Sequence, residues 1–261
     1  MDSTSILPSY KNAQITPEQT LVGLSSNAIF RLDPRLPGNK AVEEEKKQYV
    51  VKSNFSCGTT TSVGELAVAS EKGEIRLYDK LDKRAKSLIP GFGDPITGID
   101  TLEDGKFIVA TCRTYLLLIN TQLDEGGKTG FSKSTTKGRK PPIRLQLRPE
   151  HVAYMGNKIS FTTAHFSSSS IDSPTSSTDL MDRSIVTSTG PYVIIWSLGK
   201  IVKYGKLFDY QIRKYSDTVV ADDFRFIGQD DLILVTLPHH VTVTDKESLV
   251  KPTAKAFMSS S

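Results

Sequence analysis

Between Lys128 and Arg148 the chain carries seven basic residues and no acid: Lys128, Lys133, Lys137, Arg139, Lys140, Arg144 and Arg148. Such a run can neutralise the phosphates of a nucleic acid or the carboxylates of an acidic partner. Phe131 is the one aromatic ring there that could stack on a base. Stacking platforms need several. The run therefore reads as a solvated loop. Lys128, Lys133, Lys137, Arg139 and Lys140 are its candidate contacts for an acidic partner, and nucleic acid is the less favoured ligand. A second biased stretch, 167–181, is rich in Ser and Thr and holds Ser173-Pro174. Ser173 is a candidate for proline-directed phosphorylation, which would add about −2 charge to a segment too polar to build a core.

The other reactive side chains point away from catalysis. No nucleophile elbow, zincin helix, phosphate loop or dinucleotide fingerprint is present. Asp100, Asp222 and Asp223 fall near strands that could face a central channel, but their spacing does not show that they converge. The expectation is a non-enzyme with no catalytic residue and no cofactor. Two cysteines and four histidines without ligand spacing carry no metal signal. Cys112 lies in an apolar strand and reads as a reduced core thiol. His239 and His240 sit at a hairpin turn, where neighbours point to opposite sides. Trp196, the single tryptophan, ends a β-branched run and reads as a packing residue.

The elements that hold these residues repeat. The stretch 91–120 contains a strand at 96–100, an Asp104-Gly105 turn, an apolar strand at 107–112, a two-residue turn and a further apolar strand at 115–120. Branched and flat side chains suit a pleated surface, and two residues between apolar runs is hairpin spacing. The inner runs are almost continuously apolar, which predicts burial on both faces between neighbouring sheets. The same strand–turn–strand unit occurs at 20–33, 65–80, 107–120, 184–197 and 232–245. Each unit closes on a small polar residue: Asp33, Asp79, Asn120, Ser197 and Asp245. These closing residues are 46, 41, 77 and 48 positions apart. The long interval contains the low-complexity loops 124–140 and 167–181; without their 17 and 15 residues it is 45. Roughly 40–45 residues is the period of a four-stranded propeller blade. The fold class expected is an all-β, WD-repeat-like β-propeller of about five blades in a single domain, 1–261. Both inserts are expected outside the sheets, where their shortening would cost little.

The unit that starts at Gly91 resembles a WD repeat most closely, with a glycine-rich entry, Asp94-Pro95-Ile96 and the Glu103-Asp104-Gly105 turn. Its entry dipeptide is Gly91-Phe92 where that family has Gly-His, and no unit ends in Trp-Asp. A more specific resemblance lies in DSTSILPSYKNAQITPEQTLVGLSSNAIFRLDPRL, GDPITGID, GKFIVATCRTYLLLI and DLILVTLP. With these the chain resembles the carboxy-terminal domain of the vacuolar import and degradation protein 27 family over nearly its whole length. The resemblance implies a cytoplasmic protein, with the nucleus left open. It also implies a role in vacuolar import and degradation of cytosolic enzymes through protein partners, as a scaffold rather than a catalyst. Family members are much longer, and the matching part begins within their propeller. The expectation is an incomplete ring, an open arc whose uncovered faces favour association. The alternative reading of function is a phosphate- or nucleic-acid-binding module acting through 128–148.

Composition is compatible with this. A net charge of +4 and a pI near 8.9 say little about partners. The longest apolar runs have strand length, and the start has no basic, then apolar, leader pattern, so neither a membrane span nor secretion is expected. Five finer expectations complete the reading. Residues 1–19 form a loop with one outer strand. The run Glu43-Glu44-Glu45-Lys46-Lys47 is a solvated loop. Residues 49–56 form an inner strand. Residues 199–208 form another strand, with 210–217 as connection. Residues 251–261 are polar and frayed.

Overall fold

The computed structural model describes residues 5–11, 20–38, 40–123, 127–134, 140–167, 180–181, 183–220, 226–227, 232–245 and 248–258. The first sheet runs β1 (Ser5–Pro8), β2 (Leu21–Ser25), β3 (Ala28–Leu32), β4 (Ala41–Gln48). The second runs β5 (Phe55–Thr60), β6 (Leu66–Ser70), β7 (Ile75–Tyr78), β8 (Ser87–Ile89). The third runs β9 (Ile96–Thr101), β10 (Phe107–Cys112), β11 (Leu116–Asn120), β12 (Ile143–Leu145). The fourth runs β13 (His165–Phe166), β14 (Ser184–Thr189), β15 (Tyr192–Ser197), β16 (Tyr210–Lys214). The fifth has three strands among the described residues: β17 (Phe226–Ile227), β18 (Leu232–Thr236) and β19 (Val241–Asp245). Each sheet is an antiparallel meander in chain order, the form of a propeller blade.

Tight turns set the registers. Ser25 faces Ala28 across Ser26-Asn27, and Thr189 faces Tyr192 across Gly190-Pro191. All residues of β6, β10 and β14 are buried. So are Leu116 to Ile119, with Leu117 1% exposed. An ordinary half-solvated strand would show only alternate residues buried. One close approach needs glycine on both sides: a Cβ on Gly91 would fall 2.1 Å from the Gly73 carbonyl oxygen, and Gly73 itself has φ +80°. This is the physical content of the glycine-rich entry to the third sheet.

Two compact units are present, Met1–Cys112 with Leu117–Ile143, and Arg113–Leu116 with Arg144–Ser261. In the first, Leu7, Val22, Leu24 and Ile29 pack with Phe55, Leu66, Val68 and Tyr78 to join the first two sheets. Asp100 on β9, 7% exposed, accepts from Lys11 Nζ at 2.5 Å. Lys11 also donates to the Thr101 carbonyl. Asp100 is thus half of an enclosed ion pair. Asp222 and Asp223 lie outside the described residues. Cys112 is buried in the core, while Cys57 is half-buried, with its thiol pushed up to about 11 by desolvation. In the second unit, Val186, Val193 and Ile195 pack with Ile233, Val235 and Leu237 to join the fourth and fifth sheets.

The structure corrects several local readings. The charge run 43–47 is inside β4, not a loop. It has no apolar alternation because it is the edge of its sheet, where charge discourages further pairing. Glu45 pairs there with Arg31. The strand expected at 49–56 begins at Phe55; Tyr49 instead turns inward and its hydroxyl meets that of Tyr78 at 2.6 Å. Residues 199–208 hold no strand. They hold α2 (Leu198–Tyr204), begun by Ser197, whose Oγ accepts from the Lys200 amide at 3.4 Å, and ended by Gly205 at φ 63°. Serine before and left-handed glycine after are ordinary helix caps. The strand lies one step later, at β16. The tail forms α3 (Ala254–Met258), whose Phe257 is 3% exposed. The first insert is not wholly outside the core either. Residues 127–134 fold back so that the Gly130 amide donates to the Thr121 carbonyl at 2.8 Å, and the Gly130 carbonyl accepts from Ser87 Oγ at 2.7 Å. Phe131, which composition placed in solvent, is fully buried.

Candidate functional site

A cavity of about 510 Å³ opens in the second unit. Its geometry follows from two helix ends. Pro149 opens α1 (Pro149–Tyr154), where the missing amide costs nothing, and leaves Arg148 extended just before it. At α2 the left-handed Gly205 reverses the chain, so Lys206 to Asp209 line the opposite wall. Lys251 and Pro252, ahead of α3, complete it.

Tyr210 on β16 fixes one wall. Its hydroxyl accepts from the Arg148 amide at 3.0 Å and lies 2.5 Å from His151 Nδ1. Burial lowers the imidazole pKa; Arg148 adds to this and Glu150 opposes it. The ring packs edge-on to Tyr210 and against Phe257 at 5.4 Å. His151 thus forms part of the cavity wall.

Charge is unevenly distributed. Lys200 takes Asp209 at 3.0 Å, and this hydrogen bond, with Lys251 and Lys206 nearby, holds the Asp209 carboxyl below its ordinary range. Arg148 lies 3.7 Å from Glu150, with both groups largely in solvent, and its guanidinium sits 5.5 Å from the Phe208 ring centre. Lys206 and Lys251 have no ion-pair partner among the described residues. Leu207, Phe208 and Pro252 supply apolar surface beside them. The backbone amides of the Gly205 turn are occupied: Gly205 donates to Ile201, Lys206 to Lys200 and Leu207 to Gly205. The cavity thus offers side-chain cations and an apolar shelf, without a nest of free amides.

The basic run contributes only its last member, Arg148. Lys128, Lys133 and Lys140 are exposed and belong to the other compact unit, while Arg144 stacks over Tyr115 at 4.1 Å. Lys137, Arg139 and Ser173 lie outside the described residues. With Phe131 buried, that segment has lost the ring that would stack on a base. His239 and His240 are exposed at their turn. Among the described residues no cluster of three His, Cys, Asp or Glu could hold a metal ion, and no helix is long and apolar enough to cross a membrane.

Comparison with known proteins decides the family. A family model described as the VID27 C-terminal WD40-like domain matches residues 1–261. The chain belongs to the VID27 family. It is 46% identical over 258 residues to the vacuolar import and degradation protein 27 of Schizosaccharomyces pombe (strain 972 / ATCC 24843), covering 96% of this chain and 31% of that protein. It is 41% identical over 265 residues to the protein of the same name in Saccharomyces cerevisiae (strain ATCC 204508 / S288c), covering 97% and 33%. The VID27-family chain therefore spans about a third of the curated relatives it matches. Among solved structures it resembles a chain of an active polycomb repressive complex 2 in the basal state, with TM-score 0.59, 13% identity, and coverage of 97% of this chain and 51% of that one. It likewise resembles a chain of the apo ctPRC2 in an autoinhibited state, with TM-score 0.56, 12% identity, and coverage of 97% and 53%. At these identities the likeness speaks for the WD40-like propeller fold alone.

Proposed function

We propose that this VID27-family segment is a non-catalytic protein-interaction module that serves vacuolar import and degradation of cytosolic proteins in the cytoplasm. The observation that carries the pathway is its membership, at 41–46% identity, in a family whose curated members are named for it. The binding role rests on physical grounds. Inner strands buried on both faces, such as β6, β10 and β14, give a firm scaffold within each unit, and a firm scaffold presents loops and cavities with little reorganisation on binding. Of the three acids near possible channel strands, the one among the described residues, Asp100, is held by Lys11. The cavity beside Tyr210 pairs cations with apolar surface, the composition of a surface that recognises a peptide and not of a reaction centre.

Purification of the full-length protein from cells tests this reading. With nuclease present throughout, a defined set of proteins should co-purify and should disappear when this segment is removed. Protein capture that occurs only when nuclease is left out, or a protein set indifferent to removal of the segment, would contradict it.

A further inference from the structure

We propose that the cavity walled by Arg148, Lys206, Phe208 and Lys251 binds an acidic peptide segment of a partner protein, with a partner apolar side chain on the Phe208–Pro252 shelf. The proposal rests on the interaction reading above and names the chemistry of its ligand. Charge complementarity is the main argument. Four cations, Arg148, Lys200, Lys206 and Lys251, surround two carboxylates, Asp209 and Glu150. Lys200 is already bound to Asp209. Lys206 and Lys251 act on Asp209 without an ion-pair contact, Lys206 lying 5.9 Å from the Tyr204 ring centre, so both can also attract a ligand, and Arg148 can exchange its solvent-exposed contact with Glu150 for a bidentate one. The volume of about 510 Å³ is within the range of roughly 300–1,000 Å³ that small ligands and short side-chain sets fill.

A compact phosphate fits less well. Phosphate sites converge backbone amides on one point, whereas the amides of Gly205, Lys206 and Leu207 are used in the turn. The C-terminal end of α2 puts carbonyl dipoles near this wall, and Asp209 adds a carboxylate, so a concentrated dianion would meet repulsion. Carboxylates spaced along a peptide can each find one cation and avoid Asp209. Nucleic acid fits less well again, because Tyr154 is stacked on Phe257, His151 packs tilted against Phe257, and Phe208 is the other ring lining the cavity.

The wall is preformed. Tyr210 fixes Arg148 through its amide and His151 through its ring, and Gly205 fixes the Lys206–Asp209 turn. Arg148, Lys206 and Lys251 are exposed, so their substitution leaves the core untouched.

The test is fluorescence anisotropy on the full-length protein with a labelled peptide that alternates Asp and Glu around one Phe. A Asn/Gln isostere, inorganic phosphate and a single-stranded RNA oligomer are the comparison probes. The acidic peptide should bind, its isostere should bind at least about tenfold more weakly, and the double variant Lys206→Glu, Lys251→Glu should lose about tenfold or more. Binding should weaken as salt is raised. The Phe208→Ala variant should weaken it independently of salt. Equal affinity for acidic and isosteric peptides would overturn the proposal. So would full displacement of the peptide by an equimolar amount of inorganic phosphate, or RNA binding sensitive to the same double variant. If the peptide fails while nuclease-resistant protein capture by this segment persists, the cavity assignment falls and the interaction reading stands.

Discussion

Replacing Trp196 by alanine should cost about 3–5 kcal/mol, the usual loss for a large aromatic removed from a core. Trp196 is fully buried on β15, opposite Ile185 on one side and Tyr210 on the other. Its ring packs on Tyr210 at 5.3 Å and on Phe161 at 6.4 Å, and its Nε1–H donates to the Leu207 carbonyl at 3.1 Å. Truncation opens a cavity, orphans that carbonyl and releases Tyr210, the group that holds Arg148 and His151. Domain stabilities are on the order of 5–15 kcal/mol, so the change is a large share of the total. Trp196→Phe keeps most of the packing and should lose mainly the hydrogen bond, about 1 kcal/mol, plus a smaller cavity term. Circular dichroism followed through urea unfolding is the measurement, since the substitution removes the only tryptophan fluorophore. A loss below about 1 kcal/mol for Trp196→Ala would contradict the packing described.

Phe131→Ala should be similarly costly, again about 3–5 kcal/mol. This result separates a loop built into the core from a solvated spacer. Phe131 is the buried anchor of a segment that is otherwise basic and polar, and it lies against Gly105, where an added Cβ would come within 3.3 Å of its ring. Gly130 is tied to both Thr121 and Ser87. Lys128→Ser, three residues earlier and exposed, should stay within about 0.5 kcal/mol of the parent. Paired thermal melts of the two variants check this. Equal, small effects would return the whole segment to solvent.

What the sequence discloses here follows from where its signals come from. The five hairpins are local events, an apolar run, two to four turn residues and another apolar run, and each of β2–β3, β6–β7, β10–β11, β14–β15 and β18–β19 falls where such runs occur. The strands beside them carry weaker signals. β4 is nearly all charge because it is an edge, and β12 and β13 have three and two residues. α2 was hidden by Ile201 and Val202, whose branching suggests a strand, although Ser197 and Gly205 bracket it with caps. Phe131 shows how one aromatic in a polar stretch can seek the core when the flanking chain can reach it. The cavity is least legible of all. Arg148, Lys206 and Lys251 are far apart in sequence; the Tyr210 hydroxyl and the Pro149 helix start place the first, the Gly205 turn the second, and the bridge between Ile212 and Val250 the third. Of the basic run, Arg148 is the member among the described residues that lines this cavity.

The most direct measurement of the central claim is the half-life of a cytosolic protein that cells deliver to the vacuole for degradation. It would be followed in cells whose full-length family protein is intact, lacks this segment, or carries Lys206→Glu with Lys251→Glu. A module that works by binding partners through the basic cavity predicts a lengthened half-life in both altered strains, with the double variant folded and present at normal abundance. An unchanged half-life in cells lacking the segment would contradict the account.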